Sequence, residues 1–212
     1  MSEPADAPEP ATEDGRRARR DRNRDAVVDA MLELYREGNY VPSSDEIAIR
    51  AGLSPRSLFR YFDDLDDLVR AAISRQLTRI RPVLEIEVAA DAPFADRVAG
   101  LIRQRLRVFD AISSVGVVSR LREPFQPLIA AELTQGRGFL RRQIERLFPA
   151  ELAAAGSQRG ALLLAAVDVL CSFESWQLLR DDQKLSREDA AAALTESVTA
   201  LLHTKSCMAR PR

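Results

Sequence analysis

The sequence predicts an all-α protein of about nine helices, a small N-terminal three-helix domain followed by a larger helical one. Three observations carry that expectation. Apolar residues recur at helical spacing from Asp21 to the C-terminal region, and no stretch alternates with period two as a strand would. Pairs of helix start and stop signals punctuate the chain. Finally, residues 43–62, SSDEIAIRAGLSPRSLFRYF, read as two short helices joined by a tight turn.

That last stretch organises the rest. Ser43 can cap its first helix, with Glu46 three residues on completing a capping box. Ile47, Ala48 and Ala51 form a small apolar face, Gly52 frees the backbone to turn, and Leu53 can plug the gap between the helices. Ser54 is a second cap, followed by Pro55 at the first helical position, where its missing N–H is harmless. Leu58 and Phe62 make the buried stripe, with Phe59 beside them, while Arg56, Ser57, Arg60 and Tyr61 face outward. The pattern is that of a helix-turn-helix whose second helix enters a DNA major groove. An ordinary helical hairpin is the plainer reading, and the two caps and the basic outer face weigh against it.

Before this motif, residues 1–20 lack apolar periodicity and read as a disordered acidic and arginine-rich arm. Residues 1–15 hold five acids and no base, whereas residues 16–24, RRARRDRNR, hold six arginines and one aspartate. Local charge therefore says more about a polyanionic partner than the whole-chain net charge of −1. The run is either a solvated basic tail or an arm reaching into a minor groove. Val27, Ala30, Met31, Leu34 and Tyr35 give a first helix from Asp21, stopped by Gly38.

After Phe62, a long helix carries Leu65, Leu68, Val69, Ala72, Ile73, Leu77 and Ile80 on one side and ends near Pro82. Its first residues, Asp63, Asp64, Asp66 and Asp67, match the DDxxD pattern of magnesium-dependent enzymes acting on diphosphates. Acids in a first turn also cap a helix and complement its dipole, and there is no second acidic cluster. The expectation is no metal, no cofactor and no catalytic residue. His203, the single histidine, has no partners for a triad or a metal and is expected at the surface.

Asp91–Pro93 opens the next helix, with Phe94, Val98, Leu101, Ile102, Leu106, Phe109 and Ile112. Gly116 and Pro124 bracket a short segment. Pro127 opens a helix to Phe148 with a possible bend at Gly136 and Gly138, and residues 149–156 form a connector. Residues 157–179 read as one long, nearly all-apolar helix, and Ser186 caps a last helix with Ala190, Ala193, Leu194, Val198 and Leu201 on one face. A helix apolar almost all round is buried on more than one side, in a monomer core or in a symmetric dimer. The pattern shared by two successive helices favours a homodimer through the last two.

Two cysteines, Cys171 and Cys207, make no disulfide framework, and no apolar run reaches the ~20 residues of a membrane span. The chain is expected in the cytoplasm.

Ser43-x-x-x-Ile47-Ala48-x-x-Ala51-Gly52-Leu53-Ser54-x-x-x-Leu58-Phe59-Arg60-Tyr61-Phe62, with Leu68 beyond, closely resembles the N-terminal signature of TetR/AcrR-type transcriptional regulators. The likeness is specific over residues 22–70, and a looser one covers SFESWQLLRDDQKLSREDAAAAL. The resemblance implies a helix-turn-helix DNA-binding domain over residues 21–66, a regulatory and dimerisation domain over 67–205 and a tail over 206–212. It implies a homodimer on a palindromic double-stranded operator, a repressor role, and release by a small apolar ligand. Carried over by position, Ser43 meets a phosphate with Ser44 close by. Pro55, Arg56 and Ser57 stand where base edges are read, and Phe59 keeps the ring of a usual tyrosine. Tyr61 replaces a phosphate-contacting histidine. Leu65 stands where the family usually has a lysine, which removes a phosphate contact. Arg60, outward by its own spacing, is a DNA-contact candidate that, like the arginine arm, would compensate for the cation missing at Leu65. Arg105, Phe109, Glu174, Trp176 and Gln177 are the candidate ligand residues. Two rivals are a DNA-binding dimer without an effector and a magnesium-dependent helical enzyme.

Overall fold

The computed structural model describes residues 13–203, in which ten α-helices, a 3₁₀ turn and a π turn occur and no strand does. They form two units, dividing between Arg75 and Gln76, beyond the 66/67 division expected from sequence.

The first unit contains α1 (Glu13–Arg36), α2 (Ser44–Arg50), α3 (Pro55–Leu58) and most of α4 (Leu65–Ile80). Its interior is built from Val27, Met31, Leu34 and Tyr35 of α1, Ile47 and Ala48 of α2, then Leu58, Phe62, Leu68, Val69, Ala72 and Ile73. The expected stripes are therefore the buried ones. Leu77, expected on the apolar side of α4, is exposed. α1 closes on Gly38, whose φ of 88° lets the Asn39 N–H reach the Leu34 carbonyl at 3.0 Å and the Gly38 N–H reach Tyr35 at 3.1 Å. That pair of bonds is a Schellman motif, open to glycine without steric strain. Arg50 of α2 makes two 2.8 Å bonds to Glu37, and Arg75 of α4 holds Asp25 and Asp29 of α1.

α1 starts at Glu13 instead of Asp21, so residues 13–20 of the expected disordered arm are helical. Alanine and arginine are strong helix formers, and a helix nucleated by a buried segment extends at little cost. Missing apolar periodicity meant no core contact, not no helix. Residues 1–12 and 204–212, with the expected tail and Cys207, lie outside the described residues.

The second unit begins with the end of α4 and a 3₁₀ turn at Arg81–Val83, where Pro82 stops the helix. There follow α5 (Phe94–Arg122), α6 (Pro127–Leu147), α7 (Pro149–Ala154), α8 (Ser157–Leu170), α9 (Phe173–Gln177), a π turn (Leu178–Asp182) and α10 (Arg187–Leu202). α10 packs on α5 and α8, and α6 on α8 and α5, around Leu101, Phe109, Ile144, Phe148, Val167, Phe173, Ala190 and Val198. Ser186 caps α10, its hydroxyl accepting from the Asp189 N–H at 3.0 Å. At the start of α5, Arg97 donates to Glu151, to the Leu147 carbonyl and to the Ala92 carbonyl, and lies over the rings of Phe94 and Phe148.

Several boundaries differ from the sequence expectation. α5 runs through Gly116 without a break because that glycine serves packing: a Cβ there would sit 2.6 Å from the Phe173 ring. α6 likewise runs through Gly136 and Gly138, and the connector at 149–156 holds α7, opened by Pro149. The expected single helix over 157–179 is two helices bent by 45°. Ser172 causes the break by accepting from the Ser175 N–H at 3.2 Å, an N-cap inside an apolar run. No single described helix is long and apolar enough to cross a membrane. The bent pair passes that test together, but Leu164, Val167, Cys171, Phe173 and Trp176 from it are buried in the core.

α7 and α8 approach so closely that a Cβ on Gly160 would run into the Leu152 carbonyl oxygen. Backbone cannot swing aside as a side chain can. Gly160→Ala is therefore expected to destabilise the second unit by about 1–3 kcal/mol. Urea titration checks this, and an unchanged midpoint would contradict the close approach.

Candidate nucleic-acid interface

The helix-turn-helix is held by local bonds that its sequence specifies. Ser43 Oγ accepts from the Glu46 N–H at 3.3 Å, while the Ser43 N–H donates back to Glu46 Oε2 at 2.8 Å. The capping box is complete, and Asn39 adds a 3.1 Å bond to Glu46 Oε1. These bonds hold the Glu46 carboxyl below its ordinary value, the Ser43 backbone N–H acting most strongly. The turn is a second Schellman motif: Gly52 has φ 68°, Leu53 N–H reaches the Ala48 carbonyl at 2.9 Å, and Gly52 N–H reaches Ile49 at 3.1 Å. Ser54 then caps α3, accepting from the Ser57 N–H at 3.2 Å, with the two serine hydroxyls 2.9 Å apart.

Regular helix in α3 covers only Pro55–Leu58, and the chain continues in tighter turns through Tyr61, whose N–H bonds the Leu58 carbonyl at 2.9 Å. Leu58 and Phe62 are buried, but Phe59, expected beside them, is 49% exposed. The short helix cannot turn Phe59 inward while both its neighbours at Leu58 and Phe62 occupy the core. Ser43, Pro55, Arg56, Phe59 and Arg60 are exposed, and Ser44, Ser57 and Tyr61 are half-buried. The structure thus brings Pro55, Arg56, Ser57, Phe59, Arg60 and Tyr61 together on α3 and the turns that follow it. Arg50 is neutralised by Glu33 and Glu37, whereas Arg56 and Arg60 pair with no acid among the described residues.

Two supports were not foreseen. Asn23 Nδ2 donates to the Tyr61 hydroxyl at 2.7 Å, and Arg24 Nη1 donates to the Tyr61 carbonyl at 2.6 Å. The Arg24 guanidinium also lies 4.3 Å from the centroid of the Phe62 ring. Both residues sit inside the arginine run, so their polarity pointed to solvent. The Tyr61 hydroxyl accepts from Asn23, which leaves its own O–H as a donor. Nearby, the Asp64 carboxylate accepts from the Asp67 N–H at 2.6 Å and so caps α4. Among the described residues no three His, Cys, Asp or Glu side chains are grouped to hold a metal ion.

A crystal structure of a TetR-family transcriptional regulator from Streptomyces coelicolor matches this arrangement with a TM-score of 0.65. The match spans 85% of this chain and 80% of that one at 23% identity. The chain has the TetR-family fold. No protein-family model and no curated protein matches the sequence.

Within that TetR-type fold, the candidate ligand residues of the second unit separate into two groups. Arg105, Phe109 and Trp176 are buried, with Phe109 edge-on to Phe173 at 5.8 Å. Arg105 donates to the Gln104 and Gln143 side-chain oxygens and to the Leu140 carbonyl, while its Nε has no partner among the described residues. Burial lowers its pKa to about 10, so it remains a cation at neutral pH. Glu174 is half-exposed and meets Arg120 at 2.7 Å and Arg137 at 3.2 Å. Gln177 is half-buried. His203 is exposed as expected, its ring edge-on to Phe94 at 4.8 Å.

Partial burial raises the Glu174 carboxyl, but bonds from Arg120 and then Arg137 outweigh it and bring the pKa to about 2. A carboxyl depressed from its ordinary 4.5 stabilises the fold above that value and loses the contribution as pH falls toward about 2. Solvent screening keeps the effect modest. Glu174→Gln is expected to flatten the loss of stability across that window, read as denaturation midpoint against pH. Parallel curves for the two proteins would contradict it.

Proposed function

We propose that this TetR-type chain is a sequence-specific DNA-binding transcriptional regulator, working in the cytoplasm as a homodimeric repressor. The observation that supports this best is the surface of α3. Arg56 and Arg60, which pair with no acid among the described residues, and the exposed Phe59 ring stand beside a fully capped turn, with the half-buried Tyr61 next to them. Arg56 is the base reader, bidentate to guanine, and Tyr61, with Ser43 and Ser44 at the head of α2, contacts phosphate. Pro55, Ser57 and Phe59 supply groove contacts, and Arg60 steers toward the backbone.

The second copy docks through α8 and α10. Leu162 and Val169, seven residues apart on α8, are both 66% exposed, and Leu178 beyond α9 is 53% exposed. Side chains this apolar on one side of a helix whose other side is core fit a symmetric partner surface. A small apolar effector, lodged by Phe109 and Trp176 with Arg105 nearby, prefers the dimer state whose reading heads are misplaced. Its binding shifts the population off the operator, and operator DNA weakens effector binding by the same factor.

Selection of bound sequences from a random duplex pool, at fixed salt, tests the reading. One enriched near-palindrome with half-sites a helical turn or more apart is expected. Weak, salt-sensitive binding with no enriched site would overturn it. The enriched duplex then serves to screen for effectors by release.

A further inference from the structure

The arginine run is not absorbed by a reading head made of α2 and α3 alone. It is part of α1, and Arg16, Arg17, Arg19, Arg20 and Arg22 are all exposed. Arg24 fixes where they stand, because its guanidinium is bonded to the Tyr61 carbonyl and stacked on Phe62 at the end of the reading segment. Arg20 and Arg16 precede Arg24 by four and eight residues, and Arg17 precedes it by seven. Those spacings put Arg16, Arg17 and Arg20 on the same helical face as Arg24. Three and seven residues after Arg24 on this face come Val27 and Met31, both buried in the first unit. The face that packs the head therefore continues past it as a bare cationic edge. At 1.5 Å per residue the edge extends roughly 12 Å beyond Arg24, the axial rise of about three to four base pairs.

A helix with its side chains is ~10–12 Å across, and the minor groove is only ~6 Å wide. An arm threading that groove would need these residues extended, and they are helical. The chemistry that suits arginines along one edge of a helix is the row of phosphates bordering a groove. It also addresses a deficit elsewhere: Leu65 supplies no cation at the head of α4, and Asp63, Asp64, Asp66 and Asp67 there repel phosphate.

We propose that the first turns of α1 are a phosphate clamp, in which Arg16, Arg17 and Arg20 grip the DNA backbone beside the site that α3 reads. The clamp rests on the DNA-binding reading above. It adds affinity without sequence preference and makes binding steeply salt-dependent.

The test uses the full-length protein with Arg16→Gln, Arg17→Gln and Arg20→Gln combined, and a second triple variant with lysine at the same positions. Glutamine keeps helix propensity, and all three positions are exposed, so folding is undisturbed. The probes are the duplex enriched from the random pool and a scrambled duplex of equal length. With the glutamine variant, the slope of log K against log salt is expected to become shallower by about 0.9 for each phosphate no longer neutralised, up to ~5 per dimer. Affinity falls on both duplexes by similar factors, so their ratio is kept. The lysine variant keeps the wild-type slope. If the wild-type protein selects a site but the glutamine variant keeps its slope, the clamp is wrong and the reading head stands. A wild-type protein that selects no site removes both.

Discussion

Alanine at Phe62 is expected to destabilise the first unit by about 3–5 kcal/mol, the largest single effect foreseen for the head. Phe62 is 2% exposed in an interior otherwise made of aliphatic residues and Tyr35. It also carries the Arg24 stack that ties α1 to the reading segment. A unit this small buries a limited core, and a whole domain is commonly stable by only ~5–15 kcal/mol. Losing the ring should therefore leave the head unfolded or close to it under native conditions. The chain has one tryptophan, Trp176, buried in the second unit, so its fluorescence reports that unit alone. In urea, the variant should lose part of its helical circular dichroism early, while the fluorescence transition stays where it was. A wild-type dichroism curve would show that Phe62 does not hold the head together.

Arg56→Ala should leave the fold intact and remove recognition. Arg56 is exposed and pairs with no acid among the described residues, so alanine there disturbs no packing and orphans no carboxylate. A bidentate arginine–guanine pair carries about 1–3 kcal/mol of discrimination, which is roughly 5–150-fold between the operator and a mismatched duplex. Arg56→Lys keeps the charge but loses the planar fork, so it should restore non-specific affinity and not selectivity. Competition between operator and scrambled duplex, with dimerisation checked separately, reads both effects. An alanine variant that keeps the wild-type preference would remove Arg56 from the reading role.

The head was legible in the sequence because its determinants are local. Ser43 with Glu46, Gly52 with Leu53, and Ser54 with Pro55 each act within a few residues, and each bond forms as the spacing implies. What was not legible depends on partners far along the chain. Gly116 looks like a helix end, yet it is a seat for the Phe173 ring 57 residues later. Ser172 looks like one polar residue within an apolar helix, and only the Ser175 spacing hints that it breaks that helix. Glu174 is conspicuous among apolar neighbours, but its partners Arg120 and Arg137 come from other helices and have no local signal. Phe59 stays outside the core because α3 is too short to bury three ring or branched side chains on one side. The reading role proposed for α3 rests on surface residues, which residue type and spacing nominate without any knowledge of distant partners.

The bend between α8 and α9 places Cys171 where solvent does not reach it. The thiol is 2% exposed, and burial pushes its pKa up to about 12 despite the Arg105 cation nearby. Only thiolate reacts with alkylating reagents, so this sulfur is silent twice over, by access and by protonation. Labelling at Cys171 is therefore expected only if the helices around it part. The junction thus contains its own chemical clock: the labelling rate at Cys171 measures how often the helices around the proposed effector site part, with no probe added to the chain.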